Sequence, residues 1–507
     1  MKARTIMFQG TSSDAGKSLM VAALCRILAD KGFKVAPFKS QNMALNSYPT
    51  EDGCEIGRAQ ALQAMAARIK PSVDMNPILL KPTDNQRAQV IVKGKIYKNL
   101  SATEYHVEKT GPLKPIEESL EKLRKVHDIV VIEGAGSPAE INLKKEDIAN
   151  MRIAKMADAP VILIGDIDRG GVFASLVGTL ELLNTSERER VKGIVINKFR
   201  GDVSLLRPGI DFLEERTGIR VLGIIPHMSD LKIDSEDSLA LDSAHRAAAN
   251  GNAVDIAVIR LPHIANFTDI DTFSHESGVN LRYVMPGEPI GNTDLIIIPG
   301  TKNTMSDMEV LHEKGMADEI KEIHRKGTPV IGICGGYQML GMAIKDEYGV
   351  ESDRPVIEGI GLLNCTTSLS RSKVTMQVKA KVVAGGAILK PIVGSDIAGY
   401  EIHMGDTQRQ EGTSEAFRIV KRGLMAEDIS DGCISGDGMV LGTYIHGLFD
   451  NGLLRKSLLD FLKSRKGLAR DSLGLDYDVY RQAQLDLLAK TVSSNLDIDS
   501  VLGLLGV

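Results

Sequence analysis

The chain has 507 residues, 43% hydrophobic and 25% charged, with a formal net charge of −5. That length exceeds one hydrophobic core, so two or three domains are expected. The acidic balance, with no basic run, excludes a nucleic-acid partner held by general electrostatics; aromatics at 4% with no Trp leave few base-stacking platforms. Five scattered cysteines (Cys25, Cys54, Cys334, Cys365, Cys433) suggest a reducing compartment and give no zinc spacing. No apolar run approaches a membrane span, and the N-terminus enters a strand-like run directly, so a cytoplasmic protein without a signal peptide is expected.

Near the N-terminus, Thr5-Ile6-Met7-Phe8-Gln9 reads as a buried strand and residues 19–30 as a helix closed by Gly32. Between them lies Gly10-Thr11-Ser12-Ser13-Asp14-Ala15-Gly16-Lys17-Ser18. A strand, a Gly-rich loop, Lys-Ser and a helix form a phosphate cradle: loop N–H groups and the helix dipole face the anion. The loop is one residue longer than usual, with five residues between Gly10 and Gly16. Gly10, Thr11, Gly16, Lys17 and Ser18 are the candidate ATP-binding residues. Lys17 reaches the terminal phosphates and the Ser18 hydroxyl ligates Mg²⁺.

Strand candidates at 33–38, 128–132, 160–165, 193–197 and 220–225 alternate with helical stretches at 56–69, 147–156, 172–183 and 209–216. Repeated β-α-β units built on continuous apolar strands imply a doubly covered parallel sheet, an α/β fold. Residues 71–127, rich in Pro, Lys and Gln, read as a less regular insertion beside the site. The run 128–132 ends in Glu133 and a Gly-rich turn, placing a carboxylate where it can hold Mg²⁺ or simply cap the strand. Asp52 and Glu55, before a helix, are either metal ligands or acids at a helix N-terminus. Asn197 ends a further strand and either contacts the nucleotide base or forms a plain turn.

Residues 236–253 read as a linker. A second α/β series begins at 254, with strands at 255–260, 280–284, 295–299 and 330–333, a mostly helical stretch at 306–325, a β-rich stretch near 373–383 and a closing strand near 439–446. The tail, 451–507, is helical by pattern. The sharpest chemical signal is Val330-Ile331-Gly332-Ile333-Cys334-Gly335-Gly336-Tyr337-Gln338. A strand, a small-residue turn around one thiol and a helix make a nucleophile elbow. A thiol at a helix N-terminus has a lowered pKa, and Gly335 with Gly300 in Pro299-Gly300-Thr301 supplies the oxyanion donors. His446, at the end of Thr443-Tyr444-Ile445-His446-Gly447, is the candidate base; His403 is the runner-up.

At these residues the second half resembles the class I glutamine amidotransferases. The acid that such enzymes carry two residues after the histidine is absent, since position 448 is Leu, and this departure matches a cobalamin-pathway branch with a Cys-His dyad. The first half resembles the dethiobiotin-synthetase-like ATP-dependent ligases. Further stretches, 39–47, Arg260-Leu261-Pro262-His263-Ile264-Ala265-Asn266-Phe267-Thr268-Asp269 and Gly399-Tyr400-Glu401-Ile402-His403-Met404-Gly405, extend the likeness over nearly the whole chain to the cobyric acid synthase family. The resemblance implies ATP, glutamine and Mg²⁺, and a corrinoid substrate, adenosylcobyrinic acid a,c-diamide, whose b, d, e and g carboxylates become amides through acyl phosphates. Two rival readings are a sibling a,c-diamide synthase and a partitioning-type ATPase with an inactive glutaminase-like domain.

Overall fold

The computed structural model describes residues 2–82, 87–101, 104, 113–144, 147–233, 253–470 and 474–507. They form two compact units. The first comprises Met1–Ala44, Glu55–Ile233 and Arg481–Val507; the second comprises Leu45–Cys54 and Asp234–Tyr480. The expected linker, 236–253, lies almost wholly outside the described residues. The expected tail is divided: the helix Gly452–Lys466 stands in the second unit, and 481–507 is built into the first.

The first unit is organised by a six-stranded sheet in the order Val221–Pro226, Val191–Phe199, Val161–Asp166, Arg4–Gly10, Ile129–Glu133, Val35–Phe38. Every pairing is parallel. The central strands are buried along their whole length because apolar clusters cover both faces. Arg4–Gly10 is flanked on one side by Ile129–Glu133 and on the other by Val161–Asp166. The chain therefore reverses its direction of travel across the sheet beside this strand. In open parallel sheets such a reversal leaves a crevice at the carboxyl ends of the strands, which is where the loop 10–18 emerges.

One face of this sheet is completed by the end of the chain. Leu485, Leu488, Val492, Val501 and Leu505 share a core cluster with Ile6, Val21, Leu24 and Cys25. Buried Arg26, on the helix Lys17–Asp30, pairs with Asp486 at 2.9 Å and with Gln482.

Residues 71–127 are more regular than their composition suggests. Ile78–Pro82, Arg87–Val92 and Lys95–Ser101, with Gln41–Met43, form a four-stranded sheet, and Leu113–Val126 is a helix. The hairpin between the last two strands turns on Lys93 and Gly94, both at positive φ (47° and 75°). A lysine is an unusual first residue for such a turn, which is ordinarily signalled by Asn or Asp.

The second unit holds a sheet ordered Val279–Val284, Val254–Ile259, Leu295–Ile298, Val330–Ile333, Val440–Thr443, Cys433–Ser435, Thr413–Ser414. The first five strands are parallel, and the last two pairings are antiparallel. The helical stretch at 306–325 is two helices, Thr304–Glu313 and Met316–Arg325, separated at Gly315, whose φ is 69°. A second sheet is built on two long antiparallel strands, Cys365–Val382 and Asp396–Arg409, with Ile445–His446 paired to the latter. The short strand Ile445–His446 directly follows Val440–Thr443, so His446 stands where the two sheets meet.

Candidate active sites

In the first unit the phosphate loop leaves the strand at Gly10, and its helix starts at Lys17. Gly16 takes φ 96°, and a Cβ there would lie 2.0 Å from the Asn197 amide nitrogen, so only glycine fits. Asn197 donates to the Ala15 carbonyl at 2.9 Å and braces the loop from behind. The Thr11 N–H donates to the Ile164 carbonyl at 2.9 Å and anchors the loop to the sheet. Lys17, nearly buried, donates from Nζ to the carbonyls of Ser12 (2.8 Å) and Gly136 (3.2 Å), which stations its ammonium over the loop.

Glu133 closes the other side. Its carboxylate accepts from the Ser18 hydroxyl (2.8 Å), from Lys39 Nζ (2.8 Å) and from Gln63 Nε2 (2.5 Å). Burial opposes its ionisation, but the Lys39 charge and these donors outweigh burial and hold it below the usual carboxylate range. A hydroxyl and an ionised carboxylate side by side at a phosphate loop suit Mg²⁺, which takes few protein ligands and fills its shell with phosphate oxygens and water. Asp52 and Glu55 have other partners. Asp52 belongs to the second unit and accepts from the Thr50 hydroxyl within its own turn. Glu55 is buried and paired with Lys81 at 2.8 Å. Of the acids considered for the metal, Glu133 accepts from the Ser18 hydroxyl.

In the second unit Cys334 follows the strand Val330–Ile333 with φ 53° and ψ −109°, a conformation that costs a non-glycine residue about 1–3 kcal/mol. Its neighbours allow it: a Cβ on Gly336 would lie 1.9 Å from the Ile298 carbonyl oxygen. The Cys334 N–H is fixed to the Thr443 carbonyl (2.8 Å), and Sγ donates to the Ile402 carbonyl (3.4 Å). Gly300 faces the same space, since a Cβ built there would come 3.2 Å from His446 Cε1 and 3.7 Å from Cys334 Cβ. Gly335 heads the helix after the thiol and lies against Thr301. The structure thus gathers Cys334, His446, Gly300 and Gly335 in one place.

The loop that carries Gly300 is tightly held. Ala265 N–H donates to the Gly300 carbonyl (2.9 Å), and Lys302 N–H donates to the His263 carbonyl (2.9 Å). Fully buried Asp307 accepts from His263 Nδ1 (2.6 Å) and the Thr301 hydroxyl (2.5 Å). Glu351 accepts from the N–H groups of Thr304 and Met305 (2.6 and 3.1 Å), and its burial pushes its carboxyl up to about 7.

His446 has an acidic partner, so the expected Cys-His dyad is corrected. Asp269 Oδ2 accepts from His446 Nδ1 at 2.6 Å, and its Oδ1 accepts from the Gly447 N–H at 2.8 Å. A buried carboxylate on Nδ1 fixes the tautomer and turns Nε2 to the thiol, as in a nucleophile–base–acid triad. Nε2 is buried with no hydrogen-bond partner among the described residues. Burial opposes charge on this ring, but Asp269 and then the Cys334 sulfur outweigh it and raise the imidazole to about 10. The imidazole is therefore disposed to carry its proton at neutral pH. The Tyr400 ring stacks on His446 at 5.2 Å and 14°. His403 is committed elsewhere: Nδ1 to the Gly405 carbonyl (2.8 Å), Nε2 towards Glu401 (3.4 Å), and its face to Tyr444 (3.9 Å).

Asp269→Asn should keep the fold and lower glutamine hydrolysis by a factor on the order of 10²–10⁴, because an amide favours the wrong tautomer. Steady-state glutamate release checks this, with His446→Ala at least as damaged and His403→Ala much less so. Equal activity of Asp269→Asn and wild type would remove the acid from the triad.

Residues 6–240 match the CobQ/CobB/MinD/ParA nucleotide binding domain, and residues 255–453 match the CobB/CobQ-like glutamine amidotransferase domain. The chain is 51% identical over 520 residues to the cobyric acid synthase of Sorangium cellulosum, covering 99% of both chains. It is 50% identical to that of Pelotomaculum thermopropionicum (100% of this chain, 97% of the relative) and 50% identical to that of Moorella thermoacetica (100% and 98%). With the likeness running end to end, the chain belongs to the cobyric acid synthase family.

Proposed function

We propose that this enzyme converts adenosylcobyrinic acid a,c-diamide to adenosylcobyric acid, amidating the b, d, e and g carboxylates with ATP and glutamine. The observation that carries the reading is the pairing, in one chain, of a Cys334–His446–Asp269 triad with a loop in which Lys17, Ser18 and Glu133 converge. The intact triad speaks against the partitioning-type ATPase with an inactive appendage.

In the glutaminase half, the Cys334 thiolate attacks the glutamine side-chain carbonyl carbon. The oxyanion that develops is met by the Gly335 N–H at the helix start and by the loop at Gly300. His446 Nε2 gives its proton to the departing ammonia, leaving a thioester. It then takes a proton from the water that releases glutamate and restores the thiolate. In the ligase half, a corrinoid carboxylate attacks the γ-phosphorus of ATP and ADP leaves. Ammonia then attacks the acyl phosphate carbon and phosphate departs with the C–O bond electrons. Ser18 and Glu133 would hold Mg²⁺, which supplies charge neutralisation on the phosphates. Lys17 adds a point charge at the transferring group, and Asn197 keeps the loop in shape.

Incubating the enzyme with Mg²⁺, ATP, glutamine and the a,c-diamide should give four stepwise amidations followed by mass spectrometry. Activity confined to cobyrinic acid, yielding only the a,c-diamide, would replace this reading with the sibling synthase.

No helix among the described residues is long and apolar enough to cross a membrane.

A further inference from the structure

Residues 45–54 stand in the second unit, although their neighbours on both sides, Ala44 and Glu55, belong to the first. Within the second unit this segment reaches the glutaminase triad by two routes. Ser47 N–H donates to Asn266 Oδ1 at 3.1 Å. Asn266 takes a left-handed φ of 53° and starts the short turn Phe267–Asp269 that delivers the triad carboxylate. The Tyr48 ring packs against Tyr400 at 5.7 Å and 51°, and Tyr400 in turn stacks on His446. Gln377 Nε2 donates to the Pro49 carbonyl at 2.7 Å, and the turn is closed by Thr50 hydroxyl and backbone bonds to Cys54.

The imidazole is thus set by two constraints, a carboxylate on Nδ1 and a ring on its face. Each is backed by a residue of the segment 45–54. We propose that this segment is a positioning element of the glutaminase, acting through Tyr48 on Tyr400 and through Ser47 on Asn266, and that it ties glutamine hydrolysis to the state of the nucleotide unit into whose sequence it is spliced. The inference rests on reading Cys334, His446 and Asp269 as a glutaminase. Tyr48 has no part in bond making. Removing its ring frees Tyr400 to tilt, and the aim of Nε2 at the thiol loosens. Misplacement of a catalytic group by a fraction of an ångström to an ångström costs about 10- to 100-fold.

The test uses the full-length enzyme and the variants Tyr48→Ala and Tyr48→Phe. Tyr48→Ala is expected to lower kcat for glutamine hydrolysis about 10-fold while KM for glutamine stays within about twofold, because ground-state binding is untouched. Ammonium-dependent synthesis should be unchanged. Tyr48→Phe, which keeps the ring, should restore kcat. Alkylation of Cys334 by iodoacetamide across pH, read by peptide mass, should shift towards higher pH in Tyr48→Ala, because a loosened imidazolium stabilises less thiolate. Adding ATP, Mg²⁺ and the corrinoid should speed hydrolysis by wild type and do so less in Tyr48→Ala.

A kcat within about twofold of wild type, with an unchanged alkylation profile, would overturn the positioning role. So would a parallel loss of ammonium-dependent synthesis, which signals general misfolding. A wild-type rate indifferent to ATP and corrinoid would overturn the coupling. Wild type that hydrolyses no glutamine would defeat the glutaminase reading instead, and the alkylation profiles would still decide whether Tyr48 positions His446.

Discussion

Cys334→Ala is expected to lose glutamine-dependent synthesis by a factor on the order of 10⁴ or more, as when a covalent nucleophile is removed, yet to keep ammonium-dependent synthesis near the wild-type rate. On the proposed mechanism the thiol serves only the chemistry that makes ammonia. Its strained backbone, φ 53° and ψ −109°, is a local feature that alanine inherits without added bulk. The fold is expected to be kept. The measurement is product mass with glutamine and, separately, with high ammonium as the nitrogen source. Undiminished glutamine-dependent synthesis would show that another group attacks glutamine. Loss with both sources would show that the thiol also serves the ligase reaction.

Lys17→Ala is expected to fail with either nitrogen source, by a factor on the order of 10³, the scale on which a cation at a transferring phosphoryl group acts. Basal glutamine hydrolysis should survive, since Cys334, His446 and Asp269 are untouched. The ammonium group rests on the Ser12 and Gly136 carbonyls, so it is already stationed over the loop before phosphate arrives. Lys17→Arg should fail as well: a planar fork cannot replace a point charge in so closed a place. Amidation from ammonium at a near wild-type rate in Lys17→Ala would remove the phosphate-loop reading and the acyl-phosphate mechanism with it.

The strand frame of both halves was legible because doubly covered strands are continuous apolar runs, and 330–333 is found where the pattern places it. The elbow and the phosphate loop were legible because tight backbone demands small residues at fixed spacing. The triad acid was not. Asp269 lies 177 residues before His446, and only the packing of the turn 267–269 against the catalytic strand brings them together. Its one sequence signal was its place at the end of the motif Arg260–Asp269, which spacing alone left unassigned. Lys39 and Gln63 were missed as partners of Glu133 for the same reason: each comes from a different element, and only the sheet order makes them neighbours. The sheet within 71–127 escaped because its hairpin turns on Lys93-Gly94 rather than on an Asn-Gly or Asp-Gly pair, and its short apolar runs are broken by Lys, Arg and Gln.

The sharing of Leu485, Leu488, Val492 and Leu505 with the core around Ile6 and Leu24 has a bearing on how the molecule is born. The N-terminal sheet leaves the ribosome with one face incompletely covered, and the segment that completes it, 481–507, is translated much later. Between residues 233 and 481 lie about 250 residues, which at about 5–20 residues per second means a wait of roughly 10–50 s. Through that interval the apolar surface that Leu485, Leu488, Val492 and Leu505 will cover is open to chaperones and to other nascent chains. A stop codon just before residue 481 would then harm not the half being made at the time, but the one finished long before it.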